Sequence, residues 1–445
     1  MSNARLVALN ALLRVNNDNG YSNIILDKAL CDSDLDNRDA ALAASIFYGV
    51  IERRLTLDYI ISKYSNVPRN KVLCETMELL RIGIYQIMFM DKIPDSAAVN
   101  ECVKIAKKKK LFSSVGFING ILRNVSRNKD KIVFPDKKDR VEYLKIKYSC
   151  PEWIINLWDN NYGEECTENI LKSVMGRPAL TARVNNTRNS VEELILKLEE
   201  SGVHAKSIDW LDNAIELENT GTISKLKSFN NGDFHIQDLA SQFCCSVLSP
   251  RPGDLVLDVC SAPGGKTFTI AERMNNTGRV LSFDIYESKV SLIREGSKRL
   301  GLSIIEANMR DAATSDFDLP MADRVLCDVP CSGLGIIRRK PEIRYKEVNT
   351  LKELYNIQYE ILLNSSRFTK VGGILVYSTC TLNPLENNLV ANRFLEENVN
   401  YVAYDINLPK NITRIYSEDR DNQITLMPHE HKTDGFFIAA FKRLR

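Results

Sequence analysis

Residues 236–445 alternate strand-like apolar runs with helical segments, which constrains the fold of this part of the chain strongly. The strand-like runs are LVLDVC (255–260), RVLSFDI (279–285), SIIEANM (303–309), RVLCDV (324–329) and GILVYSTC (373–380). Helical patterns begin near Lys266, Glu287, Val348 and Pro384, and QITLMPHE with TDGFFIAAFKR predicts a closing antiparallel pair. Such alternation is typical of a doubly wound α/β sheet, in which ligands bind at the carboxyl ends of the strands. We therefore look for functional residues at those ends.

The first 130 residues have a different pattern. Apolar residues recur at three- and four-residue spacing, and breaks at Asn37, Pro68 and Pro94 separate the segments, which predicts an all-α bundle. A charged connector, KIVFPDKKDRV, follows. Residues 140–235 then read as helices followed by strand, helix and strand, so we predict a small α/β subdomain before the main domain at 236–445.

Charge divides the chain in the same way. Residues 1–140 hold 23 Lys and Arg against 16 Asp and Glu, whereas the remainder holds 36 against 41. A basic module thus precedes a mildly acidic one. The basic surface, including the KKKK run at 107–110, is consistent with nucleic-acid binding and equally with a solvated helix end.

The cysteines and the N-terminus indicate a location. The 11 cysteines form no CxxC pair, and the four histidines do not cluster with them, which argues against disulfides or a metal site and for a reducing cytoplasm. The N-terminus lacks the apolar core and cleavage site of a signal peptide, and no stretch is long enough to span a membrane. We expect a cytoplasmic monomer without metal.

The first strand runs into CSAPGGKT, a turn with two adjacent glycines at the start of a helix. Gly264 and Gly265 let the backbone approach a ligand closely. Neither the phosphate-binding GxxxxGK[ST] pattern nor GxGxxG is present, so the turn suits a ligand without a large phosphate group, such as S-adenosylmethionine. Taken alone, the turn could also be simple fold punctuation.

Acidic residues stand at the ends of three further strands. Asp284 ends the second strand, 19 residues beyond Gly265, where nucleotide-binding sheets place an acid that accepts hydrogen bonds from ribose hydroxyls. Asp311, past the third strand, is our candidate for the adenine side, with Asn308 as its competitor. Asp328 closes the fourth strand at the same edge.

Two cysteines are predicted to emerge at this edge. Cys331 lies in DVPCSG after the fourth strand, and Cys380 lies in YSTCT after the fifth. A thiol there could be a nucleophile, a metal ligand or packing, and we expect Cys74 and Cys102, on helical faces, to be packing. Two thiols beside an acid suit methyl transfer to C5 of a pyrimidine: a thiolate adds to C6 and activates C5, while Asp328 contacts cytosine N3 or its amine.

Several motifs together resemble a known family. CSAPGGKT, DVPCSG with RRKPEIRY, YSTCTLNPLENN and PHEHKTDGFFIA look like the motif series of the RNA cytosine-C5 methyltransferases, and IPDSAAVNECVKIAKK with FINGILRNVSR looks like helices of the antitermination factor NusB. The whole chain is similar to the bacterial 16S rRNA methyltransferase family called RsmB or Sun. The resemblance implies a NusB-like RNA-binding bundle, a small α/β linker subdomain and a Rossmann-like, S-adenosylmethionine-dependent methyltransferase domain.

The resemblance also implies residue roles. Cys380 would be the nucleophile and Cys331 would assist product release. The cofactor-contacting positions would be Cys260, Ser261, Ala262, Pro263, Gly264, Gly265, Lys266, Asp284, Asp311 and Asp328. Ser261 departs from the family, which more often has alanine there. The implied partner is 16S rRNA.

Three other functions fit parts of the pattern. One is the same reaction on transfer RNA. Another is a non-catalytic RNA-binding or antitermination factor, against which the two thiols argue. The third is a protein methyltransferase, whose NPPY-type residues DVPCSG lacks.

Overall fold

The computed structural model describes residues 3–18, 22–314, 318–346 and 353–445. These residues group into two compact units. The helical unit comprises Met1–Arg177 and Ile337–Lys346, and the α/β unit comprises Pro178–Ile336 and Glu347–Arg445.

The helical unit contains ten α-helices among its described residues, of which the first seven form the all-α bundle predicted for residues 1–130 and the last three are the helices predicted at the start of 140–235. They are α1 (Ala4–Asp18), α2 (Ser22–Cys31), α3 (Asn37–Glu52), α4 (Arg54–Tyr64), α5 (Cys74–Phe89), α6 (Asp95–Lys108), α7 (Phe112–Asn128), α8 (Arg140–Tyr148), α9 (Glu152–Tyr162) and α10 (Glu164–Ser173). Asp36 caps α3 by accepting a hydrogen bond from the Asp39 N–H at 2.7 Å. The helical pattern over 36–64 is two helices, α3 and α4, which are separated at Arg53.

Helix α5 is central to this unit and is buried on most of its surface. Its neighbours approach closely at Gly83, where an added Cβ would lie 2.6 Å from the side chain of Leu122 in α7. Two of its charged residues are also buried, Glu78 and Arg81, and they pair with each other. Arg81 additionally makes a bidentate pair with Asp58 at 2.7 and 2.9 Å, so these buried charges are compensated.

The segment Ile337–Lys346 belongs to the helical unit although it follows the DVPCSG motif of the α/β unit by only a few residues. Arg344, which is 1% exposed, donates to the carbonyls of Glu52, Tyr148 and Ser149 at 3.0–3.2 Å, at the C-terminal ends of α3 and α8. A guanidinium there satisfies the last carbonyls and complements the negative ends of both helix dipoles. RRKPEIRY is therefore partly a structural element of the bundle.

The α/β unit begins with a small antiparallel sheet. Its elements are β1 (Leu180–Val184), α11 (Val191–Glu200), β2 (His204–Ser207), β3 (Ala214–Glu218), α12 (Lys227–Asn230) and β4 (Phe234–Ile236), with strand order β2-β3-β1-β4. The predicted strand–helix–strand is confirmed, and β2 and β4 add to it. Ser190 and Glu193 form a capping box at the start of α11.

The remainder is the predicted doubly wound sheet. Its elements are α13 (Leu239–Leu248), β5 (Leu255–Asp258), α14 (Gly265–Arg273), β6 (Arg279–Asp284), α15 (Glu287–Leu300), β7 (Ile305–Met309), β8 (Ala322–Asp328), α16 (Leu354–Ser366), β9 (Thr369–Thr379), α17 (Asn388–Glu397), β10 (Tyr401–Ala403), β11 (Gln423–Leu426), α18 (Pro428–His431) and β12 (Phe436–Arg443). The helix start predicted near Val348 lies outside the described residues. The helix predicted near Pro384 begins at Asn388, after a turn.

Strand order in this sheet is β10-β12-β9-β8-β5-β6-β7, with β11 paired to β12. The strands from β5 to β9 are mutually parallel, and β12 closes the sheet antiparallel to β9 and β11. From β5 the chain first builds β6 and β7 on one side and then β8 and β9 on the other. This reversal places a crevice at the carboxyl ends of β5 and β8, where such sheets bind ligands. None of the described helices is long and apolar enough to cross a membrane.

Candidate active site

The two-glycine turn follows β5 at the carboxyl edge of the sheet. Gly264 has a φ of +110°, and a Cβ there would meet the ring of Phe268 at 2.5 Å, so glycine is needed on both grounds. Ser261 fixes the turn to β6, since its N–H and its hydroxyl both donate to the Phe283 carbonyl, at 2.8 and 2.7 Å. The serine at this position is thus used structurally.

Two of the predicted acids lie along the same edge. Asp284 ends β6, is 8% exposed, and accepts a hydrogen bond from the Tyr286 N–H at 3.2 Å. Asp311 follows β7. The N–H of Arg310, the residue before it, donates to the Asp284 carbonyl at 2.9 Å, so the backbones of the two acids lie close together. Asn308, the competitor of Asp311, lies within β7 and pairs with Phe283.

Lys266 and Asp328 form an ion pair inside the site. The Lys266 Nζ lies 2.7 Å from Asp328 Oδ2, and the Ser378 hydroxyl donates to Asp328 Oδ1 at 2.7 Å. Burial acts to lower the pKa of Lys266, but Asp328, together with Cys244 and Cys245, raises it above its usual value, so the ammonium stays charged. Sequence reasoning assigned Lys266 to the cofactor turn and missed both this pairing and Ser378.

The two thiols predicted to emerge at this edge lie side by side. Cys331 Sγ and Cys380 Sγ lie 3.2 Å apart, and both side chains are half-buried. A hydrogen bond with Cys380, burial, and the charges of Glu386 and Asp328 raise the pKa of Cys331 well above its usual value. A pair of thiols in which one holds its proton can divide the roles of nucleophile and proton carrier.

The loops that carry the thiols are hydrogen-bonded to each other. The Gly335 N–H donates to the Cys380 carbonyl at 3.0 Å. Ser332 and Thr381, the residues that follow the two cysteines, join their hydroxyls at 2.6 Å. These contacts hold the thiols at their short separation. The sequence contained the signal for them, because both residues belong to the quoted motifs.

Asp258 is a further carboxylate beneath the site that the sequence did not single out. It is fully buried at the end of β5, where Oδ2 accepts a hydrogen bond from the Thr267 hydroxyl at 2.7 Å. Oδ1 has no partner within the described part of the chain. Burial, with Asp328 and Asp284 nearby, raises the pKa of Asp258 to about 7.

The two cysteines predicted to be packing, Cys74 and Cys102, lie in the helical unit. Cys102 is buried, as packing requires, and burial raises its pKa to about 12. The prediction for Cys74 is wrong: its side chain is exposed, because it begins α5, before the helix enters the core. Within the described ranges, no three His, Cys, Asp or Glu residues are grouped so as to hold a metal ion.

This fold and this site are those of a methyltransferase. A methyltransferase homologue from Pyrococcus horikoshii superposes with a TM-score of 0.61 at 26% identity, covering 69% of this chain and 99% of that one. The chain belongs to the RsmB family of ribosomal RNA small-subunit methyltransferases. The family described as 16S rRNA methyltransferase RsmB/F matches residues 245–442, the NusB family matches 2–127, and the RsmF/B-like ferredoxin-like domain matches 150–224.

Full-length relatives agree with this assignment. The chain is 36% identical over 446 residues to a probable ribosomal RNA small subunit methyltransferase B of Bacillus subtilis, covering 99% of each chain. It is 30% identical over 443 residues to the ribosomal RNA small subunit methyltransferase B of Proteus mirabilis, again covering 99% of each.

Proposed function

We propose that the protein methylates C5 of a cytosine in 16S rRNA, with S-adenosylmethionine as methyl donor and a covalent Cys380 adduct as intermediate. The observation that carries this proposal is the pair of thiols, 3.2 Å apart at the carboxyl edge of the sheet, beside Asp328. Methyl transfer to oxygen or nitrogen needs no thiol nucleophile, whereas C5 of cytosine does, because it is too weakly nucleophilic to attack a methyl sulfonium unaided.

The reaction balances with these two thiols. The Cys380 thiolate would add through Sγ to C6, and the electron pair of the C5–C6 double bond would then bond C5 to the methyl carbon, whose bond to the sulfonium breaks to leave a neutral thioether. A base then removes the C5 proton, the double bond re-forms, and the Sγ–C6 bond breaks to restore the thiolate. Cys331 lies 3.2 Å from the attacking sulfur, so it is placed to take part in this last, proton-dependent stage.

The turn and the strand-end acids fit S-adenosylmethionine, which supplies an electrophilic methyl group on a sulfonium. The positive φ of Gly264 shapes the turn of residues 260–266 at the start of α14, where backbone N–H groups can approach a ligand. The carboxylates of Asp284 and Asp311 follow neighbouring strands at the same edge, where they would accept hydrogen bonds from the ribose and from the adenine amine. None of these residues needs a phosphate group on the ligand as its binding partner.

Asp328 would orient the cytosine. Each of its oxygens already accepts one hydrogen bond, from Lys266 and from Ser378, and a carboxylate oxygen can accept two. The ion pair therefore fixes the carboxylate and still leaves acceptor capacity for the cytosine amine. We assign Lys266 to this positioning as well as to the cofactor turn.

The RNA would be bound partly by the helical unit. The four lysines at 107–110 are all exposed at the end of α6, where they can contact phosphates. The relatives bear the name of ribosomal RNA small-subunit methyltransferases, which favours 16S rRNA over transfer RNA. An unstacked base, turned into the pocket, would reach the thiols. We also propose that the enzyme is a cytoplasmic monomer and that its three domains span residues 1–130, 140–235 and 236–445.

Substitution of each thiol tests the mechanism. We expect Cys380→Ala to abolish methyl transfer and Cys331→Ala to accumulate a protein–RNA adduct that survives denaturing electrophoresis. Cys74→Ala is the matched control, because that thiol is exposed and lies in the helical unit. Full activity of Cys380→Ala would refute the nucleophile assignment.

Bisulfite sequencing of RNA from cells with and without the protein tests the substrate. One 5-methylcytosine of 16S rRNA should disappear. Loss of a site in transfer RNA instead would favour the same reaction on that substrate, and no lost site would favour a non-catalytic RNA-binding protein.

A further inference from the structure

Glu386 is a buried carboxylate for which the reaction outlined above has no use. It is 1% exposed and lies in the turn between β9 and α17. No Lys, Arg or His within the described ranges forms an ion pair with it. Burying a carboxylate without a cation costs free energy, because the charge loses its hydration. Hydrogen bonds from the protein must then compensate for that loss at Glu386.

Three donors from three different segments supply that compensation. The Ser332 N–H donates to Oε2 at 2.8 Å, the Gln358 side-chain amide donates to Oε2 at 2.9 Å, and the Asn383 amide donates to Oε1 at 2.8 Å. Ser332 follows Cys331 directly, and Asn383 lies three residues beyond Cys380. One carboxylate therefore holds both thiol-bearing loops.

The Cys331 backbone is fixed on both sides. Gln358, which contacts Glu386, also donates to the Pro330 carbonyl at 2.9 Å, so the residue before Cys331 and the residue after it are each tied to the same side-chain pair. The Tyr377 hydroxyl donates to the Glu386 carbonyl at 2.5 Å and fixes the backbone of the carboxylate itself. Ser332, Gln358, Asn383 and Glu386 are all buried, so water does not compete strongly for the hydrogen bonds among them.

We propose that Glu386 is a positioning residue for methyl transfer: with Gln358 it holds the Cys331 loop against the Cys380 loop, so that the release step can follow adduct formation. This proposal rests on the proposed function. Displacement of a reacting group by about 1 Å lowers the rate about 100-fold. Loss of the hydrogen bonds on both sides of Cys331 permits such a displacement. The residues on either side of Cys380, Thr379 and Thr381, are held by the Asn387 side chain at 2.6 and 3.0 Å, so adduct formation should persist and the step that fails should be release.

Three variants of the full-length protein test the proposal: Glu386→Gln, Gln358→Met and the control Glu396→Gln. Glu386→Gln keeps the shape of the side chain. It replaces one carboxylate oxygen, which accepts hydrogen bonds, with an amide nitrogen, which faces the same donors and cannot accept from them. Gln358→Met removes the donor that joins Pro330 to the frame. Glu396 is an exposed carboxylate of α17, so its substitution removes the same charge outside the frame.

We expect Glu386→Gln to lower kcat about 10- to 100-fold, with KM for RNA changed less than about twofold. The fraction of folded protein trapped as RNA adduct should rise above that of the unsubstituted protein, and Glu396→Gln should change neither. A purely structural role would reduce the amount of folded protein and leave the trapped fraction of the remainder unchanged. Equal adduct fractions in Glu386→Gln and Glu396→Gln would overturn the proposal.

Gln358→Met keeps the test decisive if Glu386→Gln does not fold. It should show the same rise in adduct fraction, and a folded Gln358→Met protein with the adduct level of the control would overturn the proposal. Failure of the proposed function is distinguishable, because then Cys331→Ala would trap no adduct and Cys380→Ala would remain active.

Discussion

Replacement of Asp258 by asparagine should stabilise the α/β unit at high pH and have much less effect at low pH. The carboxylate is fully buried and has one hydrogen-bond donor, Thr267, with Oδ1 unpartnered among the described residues. Burial and the neighbouring carboxylates raise its pKa from 3.8 to about 7. Ionised Asp258 is thus a destabilising charge at the base of the site.

The sign of the pH dependence follows from the direction of that shift. A carboxyl group whose folded pKa lies above its unfolded value contributes stability at low pH, and this contribution is lost as the pH rises through the folded pKa. With pKa values of 3.8 and about 7, the contribution falls by about 3 kcal/mol between pH 5 and pH 8. Asparagine has no such loss, and its side-chain oxygen can still accept from the Thr267 hydroxyl.

Amide hydrogen exchange of β5 and β6 measures the effect in the full-length protein. The difference in opening free energy between Asp258→Asn and the unsubstituted protein should widen by about 3 kcal/mol from pH 5 to pH 8. Glu360→Gln, which removes an exposed carboxylate of α16, is the control and should show no widening. A difference that stays constant across this range would refute the electrostatic reasoning.

Three further predictions concern stability, ligand binding and thiol access. Arg344→Met should destabilise the helical unit by about 3–5 kcal/mol in urea unfolding, since it leaves two helix ends without their donor, whereas Tyr345→Phe, which loses hydrogen bonds with Ile51 at 2.9 Å and with the Ser149 hydroxyl at 3.1 Å, should cost about 1–2 kcal/mol. Gly264→Ala should weaken S-adenosylmethionine binding at least about 10-fold by calorimetry, because an alanine Cβ strains the positive φ and meets an aromatic ring. Cys74 should react with maleimide in the native protein, while Cys102 should react only after unfolding.

The sequence was sufficient to predict the sheet and the edge where the site lies. Strand ends are readable because an apolar run stops at an acid or a turn, and Asp284 and Asp328 end β6 and β8 as predicted. The neighbouring positions of Cys331 and Cys380 followed from the same rule, since parallel strands meet at a common edge. Local pattern therefore determined which residues could meet.

The hydrogen-bond partners of those residues could not be predicted from this local pattern. Gln358 and Glu386 are polar residues in buried positions, and periodicity predicts burial only for apolar ones. The membership of Ile337–Lys346 in the helical unit is likewise non-local: Arg344 binds carbonyls about 195 and 290 positions earlier in the chain. No pattern within ten residues of Arg344 carries that information.

The distribution of polar burial explains how two identical side chains can perform different steps. Cys331 faces Cys380, Glu386 and Asp328, and these surroundings raise its pKa, so in the proposed reaction its thiol would keep its proton while Cys380 attacks. A buried carboxylate near Cys331 both fixes the loop and disfavours a second thiolate there. Two ionised sulfurs at 3.2 Å would repel each other, so the site must favour one of them.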